Sequence, residues 1–76
     1  MNPELRSVFA DTLGLDPDAV TADTSRRSEP AWDSLNHLRL VTAVEETFGI
    51  KLSMAEIQAI TTAGELETMI DGHDKI

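Results

Sequence analysis

The chain has 76 residues, no cysteine, and fourteen acidic against six basic side chains, for a formal charge of −8. Such a length accommodates one small domain, since independent folds run from about 50 to 200 residues, and the absence of cysteine excludes disulfides and thiolate metal sites. The charge opposes nucleic-acid binding, which needs cations to displace counterions from phosphate, and suits either a basic partner or solubility alone. No apolar run reaches the ~18 residues of a membrane span, and Met1 to Arg6 do not form a basic, then apolar, leader, so a cytoplasmic monomer is expected.

Asn2, Pro3 and Glu4 predict a helix start: a side-chain oxygen cap, a ring pre-set for the first turn, and a carboxylate at the positive end of the dipole. Leu5, Val8, Phe9 and Leu13 follow at helical spacing, and Gly14 supplies a left-handed stop, giving helix 1 over about 3–13. From about 15 to 32 the periodicity disappears among Pro17, Asp18, Thr21, Asp23, Thr24, Ser25, Ser28 and Pro30. Connections beyond about 12 to 15 residues are usually functional or mobile, so Val20 and Trp32 are expected to tie this one across the bundle. Arg26 and Arg27 read as solvated loop charges.

Ser34 to Phe48, closed by Gly49, is the strongest periodic segment and predicts the central helix, about 34–48. Leu38, Leu40, Val41, Val44 and Phe48 fall on one wide arc, with Leu35 at its edge, either loosely packed or presented to a partner. Ser53 and Glu56 have capping-box spacing and open a short helix 3 over about 54–60; Thr62 and Glu65 repeat the spacing before helix 4, about 63–71, which Gly72 should end. The tail from His73 to Ile76 is expected to fray. The fold predicted is all-α: a small four-helix bundle of three main helices and one short one, with a long loop between helices 1 and 2. Its core should hold Phe9, Leu13, Val41, Val44, Phe48, Leu66 and Ile70, and Phe48→Ala should cost roughly 3 to 5 kcal/mol.

Ser34 stands where the long loop meets the central helix, between Asp33 and Leu35. By position alone Asp33 or Ser34 is a helix cap. A hydrolase reading, with Ser34 as nucleophile, His37 as base and Asp33 as orienter, lacks a Gly-x-Ser-x-Gly elbow and a second donor for an oxyanion hole. If Asp33 caps, Trp32 and His37 occupy the two positions of a hydrophobic staple, and His37 is a surface or staple residue. His37 and His73 alone do not make a metal site.

The run Trp32, Asp33, Ser34, Leu35, then Leu38, Leu40, Val41, Glu45, Glu46, Phe48, Gly49 and Ile50 closely resembles the acyl carrier proteins, as does Ile60, Thr61, Thr62 before the last helix. The resemblance spans Trp32 to about Ile70, roughly half the chain. It implies a non-enzymatic carrier in which Ser34 receives 4'-phosphopantetheine from coenzyme A, attached by a separate phosphopantetheinyl transferase that uses Mg²⁺ and recognises the site partly through Asp33. A hydroxyl in the first turn of a helix is exposed, and the phosphodiester formed there meets free N–H groups and the positive dipole end. Without cysteine, the thiol that holds an acyl group must come from the arm.

The resemblance also implies that the second helix docks acyl-loading and acyl-processing enzymes through acidic residues that meet basic patches, here Glu45 and Glu46, with Glu56 on helix 3 and apolar contacts from Leu35 and Leu38. Arg39 replaces the acidic residue usual at its place, and Met54 and Ala55 replace acidic positions at the start of helix 3. These departures, and Trp32 before Asp-Ser, point from general fatty-acid synthesis toward a dedicated pathway such as polyketide or other specialised biosynthesis. The alternatives are a peptidyl carrier, or a plain helical interaction module in which Ser34 is only a cap. The sequence leaves open the cargo, the partner enzymes and whether the bundle sequesters a long chain.

Overall fold

In the computed structural model, which describes residues 1–74, short-range capping sets both ends of the first two helices and the start of the third. Helix α1 spans Pro3–Leu13; the Asn2 side chain accepts from the backbone N–H of Glu4 and of Leu5, and Gly14 closes the helix at φ 69° with its N–H on the Ala10 carbonyl. Helix α2, Ser34–Phe48, begins on Asp33 and ends on Gly49 at φ 65°. Left-handed backbone of this kind strains a residue that bears a Cβ, which is why glycine stands at both ends. Helix α3, Met54–Ala59, is a six-residue helix opened by the reciprocal Ser53–Glu56 capping box, and α4 is Ala63–Asp74.

The second capping box forms only in half. The Thr62 hydroxyl accepts from the Glu65 amide at 3.1 Å, but the Glu65 carboxylate accepts from the hydroxyls of Thr61 and Thr62 instead of reaching back to an amide. Gly72 does not end α4, which continues to Asp74. His73 is not frayed: its Nε2 lies 2.9 Å from Glu56 Oε2, which ties the last turn of α4 to α3. Lys75 and Ile76, the rest of the expected tail, lie outside the described residues.

The core joins α1, α2, α4 and the connecting segments through Leu5, Phe9, Leu13, Val20, Trp32, Leu40, Val41, Val44, Leu52, Ile60, Leu66 and Ile70, with Ile57 of α3 packed against it. Val20 and Trp32 are buried as the tie across the bundle requires, and the indole meets Phe9 edge-on with ring centroids 5.1 Å apart. The long connection contains one 3-10 turn, Pro17–Ala19. Its second half is bonded to the start of α4: Arg26 N–H donates to the Thr61 carbonyl at 3.0 Å, while the Ala63 and Gly64 amides donate to Thr24 O and Ala22 O at 2.9 and 3.0 Å. Those two amides open α4 and have no acceptor inside the helix, so the loop serves as its cap.

Two assignments on α2 are corrected. Leu38, drawn on the apolar arc and also expected to contact partners, is 59% exposed, and Phe48, expected in the core, is half-buried at its end. The inward position falls instead to His37, 5% exposed. An arc drawn through apolar residues alone is rotated toward Leu38, which stands roughly 100° around the helix from His37. Phe48→Ala should therefore cost less than the 3 to 5 kcal/mol typical, to order of magnitude, of a fully buried ring.

Candidate functional site

Ser34 is the first residue of α2 and is exposed. Asp33 prepares that position: its Oδ1 accepts from Asn36 N–H at 2.8 Å and its carbonyl accepts from His37 N–H at 2.8 Å, which starts the helix one residue later. Asn36 Nδ2 donates to the Ala31 carbonyl at 2.8 Å and holds the incoming loop against the first turn. Among the described residues, neither the Ser34 hydroxyl nor the backbone N–H groups of Ser34 and Leu35 have a hydrogen-bond partner. The site thus offers a hydroxyl to solvent beside two unpaired amides at the positive end of a helix of fifteen residues. Those residues suit a phosphodiester, since the amides and the dipole both favour an anion joined to that oxygen.

His37 lies beneath Ser34 but cannot serve it as a base. The indole Nε1–H of Trp32 can only donate, so the 3.0 Å contact makes His37 Nδ1 the acceptor, and His37 Nε2–H donates to the Ile57 carbonyl at 2.8 Å. Both ring nitrogens are committed, and the hydrolase arrangement is excluded on geometry. The staple between Trp32 and His37 is real but polar, and its partners make His37 a buried bridge between the loop, α2 and α3 rather than a surface residue. Among the described residues no cluster of His, Asp or Glu could hold a metal ion, and no helix is long and apolar enough to cross a membrane.

The residues expected to dock partners divide into two groups. Leu35 and Leu38 are 58% and 59% exposed, and Met54 on α3 is 69% exposed. Arg39 and Glu46 are exposed, and with Leu38, Thr42 and Ala43 they line a shallow depression along α2. Glu45 and Glu56, by contrast, are only partly exposed and already engaged. Glu45 Oε2 accepts from Leu52 N–H at 2.9 Å and holds the segment after Gly49 against α2. Glu56 accepts from Ser53 N–H at 2.9 Å and meets His73; the Ser53 amide first, and then His73, keep its carboxyl below the ordinary carboxylate value.

A groove of about 320 Å³ opens beside Ser34 between the loop, α2 and α3, lined by Arg26, Ser34, His37, Leu38, Met54, Ile57 and Gln58. Its volume falls at the lower end of the roughly 300 to 1,000 Å³ of small-molecule sites. Arg26 belongs to this wall and is half-buried, which corrects the reading of both loop arginines as solvated; Arg27 alone is exposed. Nothing in the local composition separates the two arginines. The backbone bond from Arg26 to Thr61, 35 positions on, does.

Comparison with known proteins agrees with this geometry. The family model described as the phosphopantetheine attachment site matches residues 3–70, so the similarity extends through α1 and well beyond the segment from Trp32 to Ile70. Among solved structures, the solution structure of a holo acyl carrier protein from Geobacter metallireducens is similar at 30% sequence identity and a TM-score of 0.82, covering 92% of this chain and 80% of that one.

Proposed function

This chain belongs to the phosphopantetheine attachment-site family, and from that premise we propose that Ser34 bears the 4'-phosphopantetheine and that the protein carries acyl groups between enzymes of a dedicated biosynthetic pathway. Its family and fold are those of acyl carriers, which hold intermediates and do not catalyse their conversion. The observation that carries the assignment is the solvent-facing Ser34 hydroxyl at the head of α2, with two unpaired amides beside it. When bound, the arm supplies the thiol that this cysteine-free chain lacks and so the thioester link to an acyl group.

The chain's own residues set the conditions for that role. Asp33 caps the first turn and leaves the Ser34 hydroxyl free, and its exposed carboxylate is available for recognition by a phosphopantetheinyl transferase. Leu35 and Leu38 give partner enzymes an apolar contact next to the attachment point, with Glu46 facing basic groups on them and Arg39 facing an acidic one. Glu45 and Glu56 support this surface from within the fold. Arg39 and the apolar Met54 favour a specialised pathway over general fatty-acid synthesis, and the reading places the protein in the cytoplasm as a monomer.

Incubation with coenzyme A, Mg²⁺ and a broad-specificity transferase tests the assignment by intact mass. The expected result is a gain of one phosphopantetheine in the wild type and none in Ser34→Ala. A wild type that stays unmodified would make the chain a helical interaction module whose Ser34 is only the first residue of α2. Loading at another hydroxyl would move the site.

A further inference from the structure

The groove beside Ser34 has an asymmetric charge. Among the described residues, Arg26 is the only cationic side chain that lines it, and neither Asp nor Glu does. Arg26 forms no ion pair among the described residues, as is true of the other Arg and Lys side chains, so what distinguishes it is its place in the groove. Its position is not accidental. The backbone of Arg26 is fixed by the 3.0 Å bond to Thr61 O, next to the bridge between Ser25 and Thr62, so the guanidinium issues from an anchored point. The other charged or polar groups of the groove are either committed, as both nitrogens of His37 are, or neutral, as Gln58 is. The far wall is apolar, with Leu38, Met54 and Ile57.

An arginine without an ion pair lining the same groove as the proposed attachment hydroxyl is a complementary partner for a phosphodiester, because the planar fork of Arg matches two phosphate oxygens at once and its charge strengthens each bond. We propose that Arg26 binds the phosphodiester through which the arm joins Ser34, and that the arm thereby lies in this groove against Met54, Ile57 and Gln58. The amides of Ser34 and Leu35 hold the anion from the helix side and Arg26 from the loop side. Arg26 is thus a positioning residue for the arm. This inference rests on Ser34 as the attachment point.

The test uses isotopically labelled full-length protein before and after loading. In the wild type, loading should shift the Arg26 side-chain Nε–H resonance and the backbone amides of Ile57 and Gln58. In Arg26→Gln the protein should still gain the mass of the arm, while its ³¹P resonance moves away from the wild-type position and the α3 shifts are lost. Arg26→Lys should restore part of both, and Arg27→Gln should behave as wild type because Arg27 is exposed. Lys also serves as the second variant should Gln disturb the loop.

A loaded Arg26→Gln protein with wild-type ³¹P and α3 shifts would overturn the proposal and leave Ser34 as attachment site intact. The same holds if the Arg26 resonance moves only when the arm carries a glutaryl group and not when it carries a butyryl group or a free thiol, since the partner would then be a cargo carboxylate. Failure of Ser34 to load at all, read from mass, removes the carrier assignment and this one with it.

Discussion

Between α1 and α2 the backbone makes only one turn of regular structure, yet Val20 and Trp32 from this stretch are almost wholly buried and three of its backbone groups bond to the start of α4 or to Thr61, two residues before it. Helix α3 is regular over all six residues and fully buries none of them. Regularity and anchoring are therefore separate properties here. Helical bonds and caps act within a few residues and can order a segment that touches little else, whereas the loop is ordered by distant partners. The consequence for the groove is that its two sides differ: the loop side is bolted to the core, and α3 rests on the Ser53–Glu56 box, the His37 bond to Ile57 and the Glu56 contact with His73.

Removing an anchor should separate the two sides most. Trp32→Ala deletes the edge contact with Phe9, leaves His37 Nδ1 without its donor, and should destabilise the protein by roughly 3 to 5 kcal/mol in urea unfolding. Against a total of about 5 to 15 kcal/mol that loss brings the domain close to unfolding. An effect below about 1 kcal/mol would show that the loop is a passive connection.

A smaller effect should come from the backbone seam. A Cβ on Gly64 would sit 3.1 Å from the Ala22 carbonyl oxygen and 3.2 Å from the Ala22 Cβ. Alanine gains up to about 1 kcal/mol of helix propensity over glycine, and overpacking costs about 1 to 3 kcal/mol, so Gly64→Ala should lose about 1 kcal/mol net. Its signature is faster hydrogen exchange at the Gly64 and Ala63 amides. A stabilised variant would mean that the loop yields without strain.

The smallest effect belongs to α3 and depends on pH. Because the Ser53 amide, then His73, hold the folded Glu56 carboxyl below its ordinary value, the stability it contributes is present above that ordinary value and is lost as pH falls through the lower folded one. The group is partly exposed and its amide partner lies at the start of α3, so the change should centre there: the Ser53 amide resonance should titrate in that acidic window while the Thr24 and Gly64 amides stay still. Glu56→Gln should abolish the Ser53 titration. Movement of the loop in step with α3 would show that the two sides are not independent.

Much of this architecture was legible because it is built from short-range chemistry. Asn2 with Gly14, Asp33 with Gly49, and Ser53 with Glu56 mark helix ends through bonds that close within about five residues; position in the first turn of α2 made Ser34 exposed, and the resemblance of the flanking residues to the acyl carrier proteins gave it its role. Leu38 was misplaced because periodicity ranks side chains by polarity. A histidine with both nitrogens satisfied is welcome inside, and that satisfaction comes from Trp32 five positions back and Ile57 twenty positions on.

Glu45, Glu56, Arg26 and Arg27 show the same division at the site. All four are charged residues on a predicted surface, and composition treats them alike. The fold turns Glu45 toward Leu52 and Glu56 toward Ser53 and His73, places Arg26 in the groove and leaves Arg27 in water. Local pattern established four helices and an exposed serine at the head of the second, since the bonds responsible lie within single turns. Which charges remain free to meet a phosphate or a partner was settled by packing, because their neighbours come from other elements, and a charge's partners depend on distance through space rather than along the chain.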